Sequence, residues 1–457
     1  MPVFLLAVQI FWVHQDLVEG HRVRPIRVPD TASYLRLARM STIDGALSHY
    51  RSNGYPLLLR IFTWREIAGP ELWVFFCGVL ALFAGTWAYT QRAWLGLAAA
   101  SPLLYGDTLK LLGRVQPDFV ACGLVLLSVS WLLLLIARPR NVLLWILLVL
   151  SVFASYQVRP ATLFLIGWLP VMGWALKALR ERTSSRATLV WAGGLATAVV
   201  VPYLMFAGWR YARIGEFGLV AFGGYNMSGL AASLIDDEML DELDEPHQWA
   251  ARRILMKRQR RGWSPYRAGE GSLEWFEQYS ENIWRVSVWT AKDQLLSGRE
   301  VARARGEEIG QSLHVAVNRY LRSLSRDVIQ RRLGKYVRWV RDANLFGWKK
   351  LGGSPWVIWP AGLLLVTVLG LWTARQAGLW SAVALEAMAP QLLGMLLLGV
   401  TFFLAYIFLV SLLSYPFTRY YYGTVLLLPS ALCVVLAALW GEVLGALWMR
   451  RRAVVEP

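Results

Sequence analysis

Apolar residues along this chain gather in long, nearly unbroken runs, without the strict alternation of half-buried strands. A helix needs about 20 such residues to cross roughly 30 Å of hydrocarbon. Runs of that kind cover Pro70–Thr90, Asp118–Ala137, Val142–Tyr156, Pro160–Leu179, Thr188–Gly208, Trp356–Ala374, Pro390–Leu413 and Tyr420–Trp448. Trp94–Leu112 is weaker, since it contains Pro102, Asp107 and Lys110. Met1–Val13 is short, but it lacks the basic start and small-residue cleavage site of a secretory signal, so it reads as a first span. The pattern predicts an all-α polytopic membrane protein with about ten transmembrane helices.

Short loops set the orientation, because Lys and Arg accumulate on the cytoplasmic side. Arg92, Arg138, Arg140, Lys177, Arg180, Arg182, Arg186, Arg375 and the tail Arg450–Arg452 all share one side if both termini are cytoplasmic. Three parts follow. Residues 1–208 form an N-terminal transmembrane module with its first outer loop at 14–69. Residues 209–355 form a large extracytoplasmic loop, and 356–457 hold the last helices and a basic cytoplasmic tail. In the large loop Leu313, Val317, Leu321, Leu324, Val328, Tyr336 and Val340 recur at helical spacing among arginines, and Trp275, Tyr279, Ile283, Val286 and Trp289 suggest a second such helix. Amphipathic helices of this kind lie in a membrane interface or pack on one another as a subdomain, and both readings stay open. Asp236–Glu245 reads as a solvated turn or helix start, and Phe222–Gly229 as a flexible glycine turn.

Composition narrows the class. Of 457 residues 56% are apolar and 17% charged, with 24 Trp, 18 Tyr and 18 Phe, which excludes a disordered chain. Cys77, Cys122 and Cys433 lie inside apolar runs, so no disulfide framework is expected. The large loop, Trp209 to Ser354, carries 24 cationic and 18 anionic side chains, a net of +6; the other 23 and 12 leave +11, mostly in the short loops. The total of +17 therefore expresses topology and does not point to nucleic acid. No phosphate-binding P-loop, dinucleotide fingerprint or zinc spacing is present.

Ionisable groups near a bilayer are costly and tend to line functional cavities. On the outer side, Asp30 and Asp44 in the first loop and Asp107 and Asp118 around the Gly113–Pro117 turn are the candidates for a general base and a metal ligand or orienting group. Arg51, Arg114, Arg159 and Arg419 are outer-side partners for a lipid phosphate. His14, His21 and His49 lack ligand spacing and read as solvated.

The order of these residues resembles the polytopic glycosyltransferases of the GT-C fold, which include protein O-mannosyltransferases and lipid A aminoarabinose transferases. The resemblance rests on Asp30 followed by Tyr34 in the first outer loop, and on Ser52-Asn-Gly-Tyr-Pro56, which places Tyr55 in the returning segment. It also rests on an acidic residue opening the fourth span, on Arg159-Pro160 before the sixth, and on Arg419-Tyr420 at a late span. The fourth-span residue is Asp118 here, in Gln-Pro-Asp rather than after Ser, which leaves Asp107 as an alternative. The resemblance implies sugar transfer from a polyprenyl-phosphate donor, undecaprenyl phosphate in a bacterial inner membrane, to a glycan, lipid or protein acceptor on the extracytoplasmic face. It implies Asp30 as base, Asp118 as orienting group, and Tyr34, Arg51, Tyr55, Arg159, Arg419 and Tyr420 as substrate contacts. A divalent metal ion on Asp30 and Asp118 is the one cofactor it leaves open. A transporter or flippase of a lipid-linked glycan, or a non-enzymatic envelope scaffold, is the competing reading. An internal repeat would favour the transporter, and none is evident.

Overall fold

A computed structural model describes residues 1–19, 25–28, 30–262, 266, 286–293, 295, 297–298, 313–351, 354–376, 383–413, 423 and 425–455. The chain opens with an apolar helix, α1 (Pro2–Glu19), and the first loop folds into three short helices, α2 (Thr31–Ala38), α3 (Ile43–Ser48) and α4 (Gly54–Ile61). Then come α5 (Ala68–Thr90), α6 (Ala93–Tyr105), α7 (Asp118–Ala137), α8 (Val142–Val158), α9 (Leu165–Glu181) and α10 (Arg186–Ile214). The large loop holds α11 (Gly223–Leu234), α12 (Glu245–Gln259), α13 (Leu313–Arg331) and α14 (Leu333–Leu351), followed by α15 (Pro355–Gln376), α16 (Val383–Leu413) and α17 (Leu428–Val455). Among the described residues there is no strand, only an isolated parallel bridge between Ile26 and Arg114.

Among the described residues, seven helices are long and apolar enough to cross a membrane: α5, α7, α9 with the turn before it, α10, α15, α16 and α17. The other three expected spans are shorter. Helix α8 has 17 residues, and α1 is apolar only over Pro2–Leu17. Helix α6 has 13, because Pro102 and Gly106 stop it and Asp107–Leu111 continues as a tight 3₁₀ turn. Helix α10 runs past the expected end of its span, so Trp209–Ile214 belong to it rather than to the loop.

Helix α7 sits at the centre of the bundle, with Leu126, Val129, Leu132, Leu133 and Leu135 inaccessible. It packs on α5 through Gly78 and Gly123. A Cβ at Gly78 would stand 2.8 Å from the Gly123 carbonyl, so only small residues permit this approach. At the periphery, α10 and α15 expose Leu189, Val190, Met205, Trp359, Val366 and Trp372, an apolar surface suited to lipid. Arg92 pairs with Glu442 at 3.0 Å, and Arg182 donates to the Ala387 carbonyl, at the end of the bundle where the short basic loops cluster.

At the opposite end the large loop forms a subdomain with its own core. Leu230, Leu234, Ile254, Leu255, Leu324 and Val328 are buried together, so the apolar stripe of α13 is used for packing on α11 and α12. Helix α14 buries Trp339, Ala343 and Phe346 but exposes Val337, Leu345 and Trp348, and its Tyr336 hydroxyl reaches the Leu412 carbonyl of α16. Trp275, Tyr279 and Ile283 of the other expected amphipathic helix lie outside the described residues. The segment expected to be a flexible glycine turn is instead the start of α11. Gly224 serves close packing: its N–H donates to Asn318 Oδ1 at 2.9 Å, and a Cβ there would sit 2.1 Å from the Asn318 carbonyl. Gly224→Ala is accordingly expected to lower the thermal unfolding midpoint of the purified protein, a cost of about 1–3 kcal/mol. Gly193→Ala in α10, which meets nothing within 4 Å, is expected to leave the midpoint unchanged or raise it.

Candidate functional site

The bridge between Ile26 and Arg114 is where the site begins. Ile26 N–H donates to the Gly113 carbonyl, Val115 N–H donates back to Ile26, and the Thr31 hydroxyl donates to the Val115 carbonyl at 3.0 Å. These bonds lay the start of α2 against the turn that leads into α7, so Asp30 and Asp118 reach one cavity although 88 positions separate them. A second tie comes from the other end of the loop. The Ser52 hydroxyl donates to the Val158 carbonyl, and a Cβ on Gly54 would stand 2.6 Å from the Gln157 backbone. Glycine in the Asn-Gly-Tyr-Pro segment is thus what lets α4 abut the end of α8.

The two carboxylates are held differently. Asp118 begins α7, where the helix dipole favours a negative charge, and it forms an ion pair with Arg159. Arg159 ends α8: Pro160 holds its backbone extended at φ −141° and ψ 108° and prevents the helix from continuing. Both residues are buried, at 4% and 7% exposure, so each needs the other's charge. Asp30 stands at the N-cap of α2, yet its carboxylate does not cap the helix. It takes a 2.5 Å hydrogen bond from Arg51 Nη2 instead. The Arg51 guanidinium lies over the rings of Tyr34, Tyr50 and Phe222 at 5.2, 5.2 and 5.4 Å, which fixes its plane.

The cavity between these pairs measures about 370 Å³. Tyr34, Tyr50, Ser52 and Asn226 add polar groups near the ion pairs, while Leu163, Phe164, Leu409, Val410 and Leu413 make one flank apolar. All lining residues lie toward the end of the bundle that carries the subdomain. Behind this lining, Tyr34 meets Tyr55 edge-on at 5.4 Å, and the Tyr55 hydroxyl donates to buried Glu71 at 2.8 Å. Burial and the neighbouring Glu71 push the Tyr55 hydroxyl far above its ordinary range, so it stays a proton donor. Tyr55 therefore supports the lining rather than forming it.

Other candidates fall elsewhere. Asp107 is buried but outside the cavity, held by Lys110 and by the Ser354 hydroxyl at 2.9 Å, where it anchors the start of α15. Asp44 pairs with Arg213 at the end of α10, and Arg114 is not part of the lining. Arg419 and Tyr420 lie outside the described residues. The open question of a divalent ion on Asp30 and Asp118 meets a charge argument: each carboxylate is already neutralised by an arginine, so the four groups offer no excess negative charge to a cation. This donor set does not fit a metal.

Sequence reading missed the aromatic wall. Phe222 and Asn226 come from α11, and Tyr50 stacks on His49 at 4.3 Å beside His314. His49 is 1% exposed, which corrects its reading as a solvated residue. Its Nδ1 accepts the Arg51 backbone N–H at 3.1 Å, so that nitrogen carries no proton. Burial, reinforced by His314, Arg51 and Arg36, lowers its pKa to about 3, and burial with Lys292 and Arg36 lowers that of His314 to about 4. The only sequence signal was the pair His49-Tyr50 beside Arg51.

Both imidazoles are neutral in the folded protein, whereas an unfolded chain protonates them below about pH 6.5. The contribution of these two histidines to stability is thus complete above that pH and is lost as the pH falls toward 4. Thermal unfolding followed from pH 7.5 to 4.5 is expected to show a falling midpoint, with a shallower fall in His49→Asn. Compared with protein-family models, curated proteins and solved structures, the chain matches none.

Proposed function

We propose that this protein is a membrane glycosyltransferase of the GT-C type, moving a sugar from a polyprenyl-phosphate carrier to a hydroxyl acceptor on the extracytoplasmic face. The observation that carries the reading is a single cavity in which two carboxylate–arginine pairs adjoin an apolar flank on α16 and the turn before α9. That combination suits a ligand with an anionic head, a sugar and a long hydrocarbon tail. The short basic loops at the far end of the bundle support an extracytoplasmic cavity through the charge bias of short loops. A cavity lined from one end only favours transfer over transport, which needs a route through both leaflets.

The chemistry follows from charge development. As the acceptor oxygen attacks the anomeric carbon, it loses its proton to Asp30, whose basicity Arg51 tempers and whose position Arg51 fixes. The bond from the anomeric carbon to the phosphate oxygen breaks, and its electron pair leaves with the lipid phosphate. Arg159 is the natural holder of that phosphate, with Asp118 setting its orientation. The rings of Tyr34 and Tyr50 offer faces for the sugar. In an inner membrane the carrier is undecaprenyl phosphate. Ten spans, with α1, α6 and α8 crossing as short helices where the bilayer is locally thinned, belong to the same reading.

The test compares cell-envelope glycans and glycolipids by mass spectrometry in cells carrying the wild-type chain, no chain, or Asp30→Asn. The expected result is one sugar missing without the protein and also missing, or reduced at least about 100-fold, with Asp30→Asn present at normal level. Normal modification by Asp30→Asn removes the base assignment.

A further inference from the structure

Away from the cavity, the subdomain brings an imidazole and two carboxylates to one point. Asp244 and His247 stand at the start of α12, and Asp327 projects from α13. His247 Nδ1 lies 2.6 Å from Asp244 Oδ1 and 3.2 Å from Asp327 Oδ2, and the three atoms all lie within 4.8 Å of one another. Asp244 is the N-cap of α12, yet its side chain makes no capping bond, because it is turned toward the ring. His247 is buried at 7% exposure.

We propose that Asp244, His247 and Asp327 form a binding site for a divalent transition-metal cation of the Zn²⁺ class. A proton on Nδ1 lies along one ring direction and serves one carboxylate well, leaving the second oxygen facing the same nitrogen without a good bond. A metal ion between them satisfies all three. Tetrahedral ligands at about 2.0–2.1 Å from zinc stand roughly 3.3 Å apart. The contact to Asp327 already has that span, exposed Asp244 needs to retreat from the ring by less than 1 Å, and the two carboxylate oxygens, within 4.8 Å of each other, need to close by about 1.5 Å at most. The imidazole selects against Ca²⁺ and Mg²⁺, which prefer all-oxygen shells. A fourth position is left for water.

The surroundings support a held site. Asp327 keeps its other oxygen on Arg331 Nε at 2.8 Å, which orients the carboxylate and brings the site to a net charge of −1 before the cation enters. The Tyr320 ring meets the imidazole edge-on at 5.8 Å, and its hydroxyl donates to the Pro246 carbonyl at 2.8 Å, fixing the start of α12 against α13. Binding there staples the two helices together. Helix α13 also bears His314 and the Gly224 contact behind the aromatic wall of the cavity, so the staple stiffens the subdomain that supplies Phe222 and Asn226.

The test uses the full-length protein in nanodiscs, stripped with a chelator and titrated with Zn²⁺ by calorimetry, with bound metal counted by mass spectrometry. The expected result is one equivalent of Zn²⁺ on the wild type, affinity lowered at least tenfold in His247→Ala and in Asp327→Asn, and no change in His14→Ala. Zn²⁺ is also expected to raise the thermal midpoint of the wild type but not of His247→Ala, and millimolar Ca²⁺ not to displace it. Absence of stoichiometric binding, equal affinity in the variants, or displacement by Ca²⁺ overturns the proposal. None of these outcomes depends on whether the cavity transfers a sugar.

Discussion

The buried ion pair between Asp118 and Arg159 is the constraint around which the cavity is arranged. It joins the N-terminal end of α7, the most enclosed helix, to the C-terminal end of α8, and each side chain is positioned by a neighbouring proline. Burying two charges costs several kcal/mol per ion, and their attraction recovers about that much, so such a pair adds little net stability. Removing one partner alone is costly. A pair with little stabilising value in the lining of a cavity can share its arginine with a second anion: in the proposed reading a phosphate binds Arg159 while Asp118 keeps orienting the guanidinium.

Everything around that pair is brought in by long-range ties. The first loop is fastened at one end by the Ile26–Val115 bonds and at the other by Ser52 and Gly54 against α8. Its middle is fastened by Arg210, which is fully buried and donates to the carbonyls of Leu47, Glu216 and Gly218. Glu216 in turn takes Arg319 and Arg322 from α13. One arginine–glutamate cluster therefore links the first loop, the end of α10 and the subdomain. The aromatic wall of Tyr50 and Phe222 forms where these pieces meet.

Much of the bundle was legible because bilayer-spanning helices are dictated by local hydrophobicity. The boundaries of α7 and α8 follow from Pro117, Asn141 and Pro160, all local signals. The length of α6 was less legible: Pro102, Asp107 and Lys110 mark its run as weak, but only the structure shows the helix ending at Tyr105 before a polar 3₁₀ turn. Asp30, Arg51, Asp118 and Arg159, which line the cavity, stood out in the sequence because charge is rare near a membrane. Phe222, Asn226 and the burial of His49 were not, because aromatic and amide residues in a loop carry no periodic signal. Their placement depends on α11 crossing α13 at Gly224, a contact between segments 94 positions apart. Asp327 joins Asp244 and His247 through the separate contact of α13 with the start of α12, so no spacing rule reveals that group.

The central proposal is that Arg159, held in place by Asp118, binds a lipid phosphate in the cavity. Native mass spectrometry of the protein reconstituted with undecaprenyl phosphate tests it most directly, comparing wild type with the double variant Asp118→Asn/Arg159→Gln, which removes both charges together and leaves neither buried alone. Bound lipid phosphate on the wild type, reduced at least about tenfold in the double variant of matching thermal stability, is the expected result. Equal retention of the lipid by both proteins contradicts the assignment.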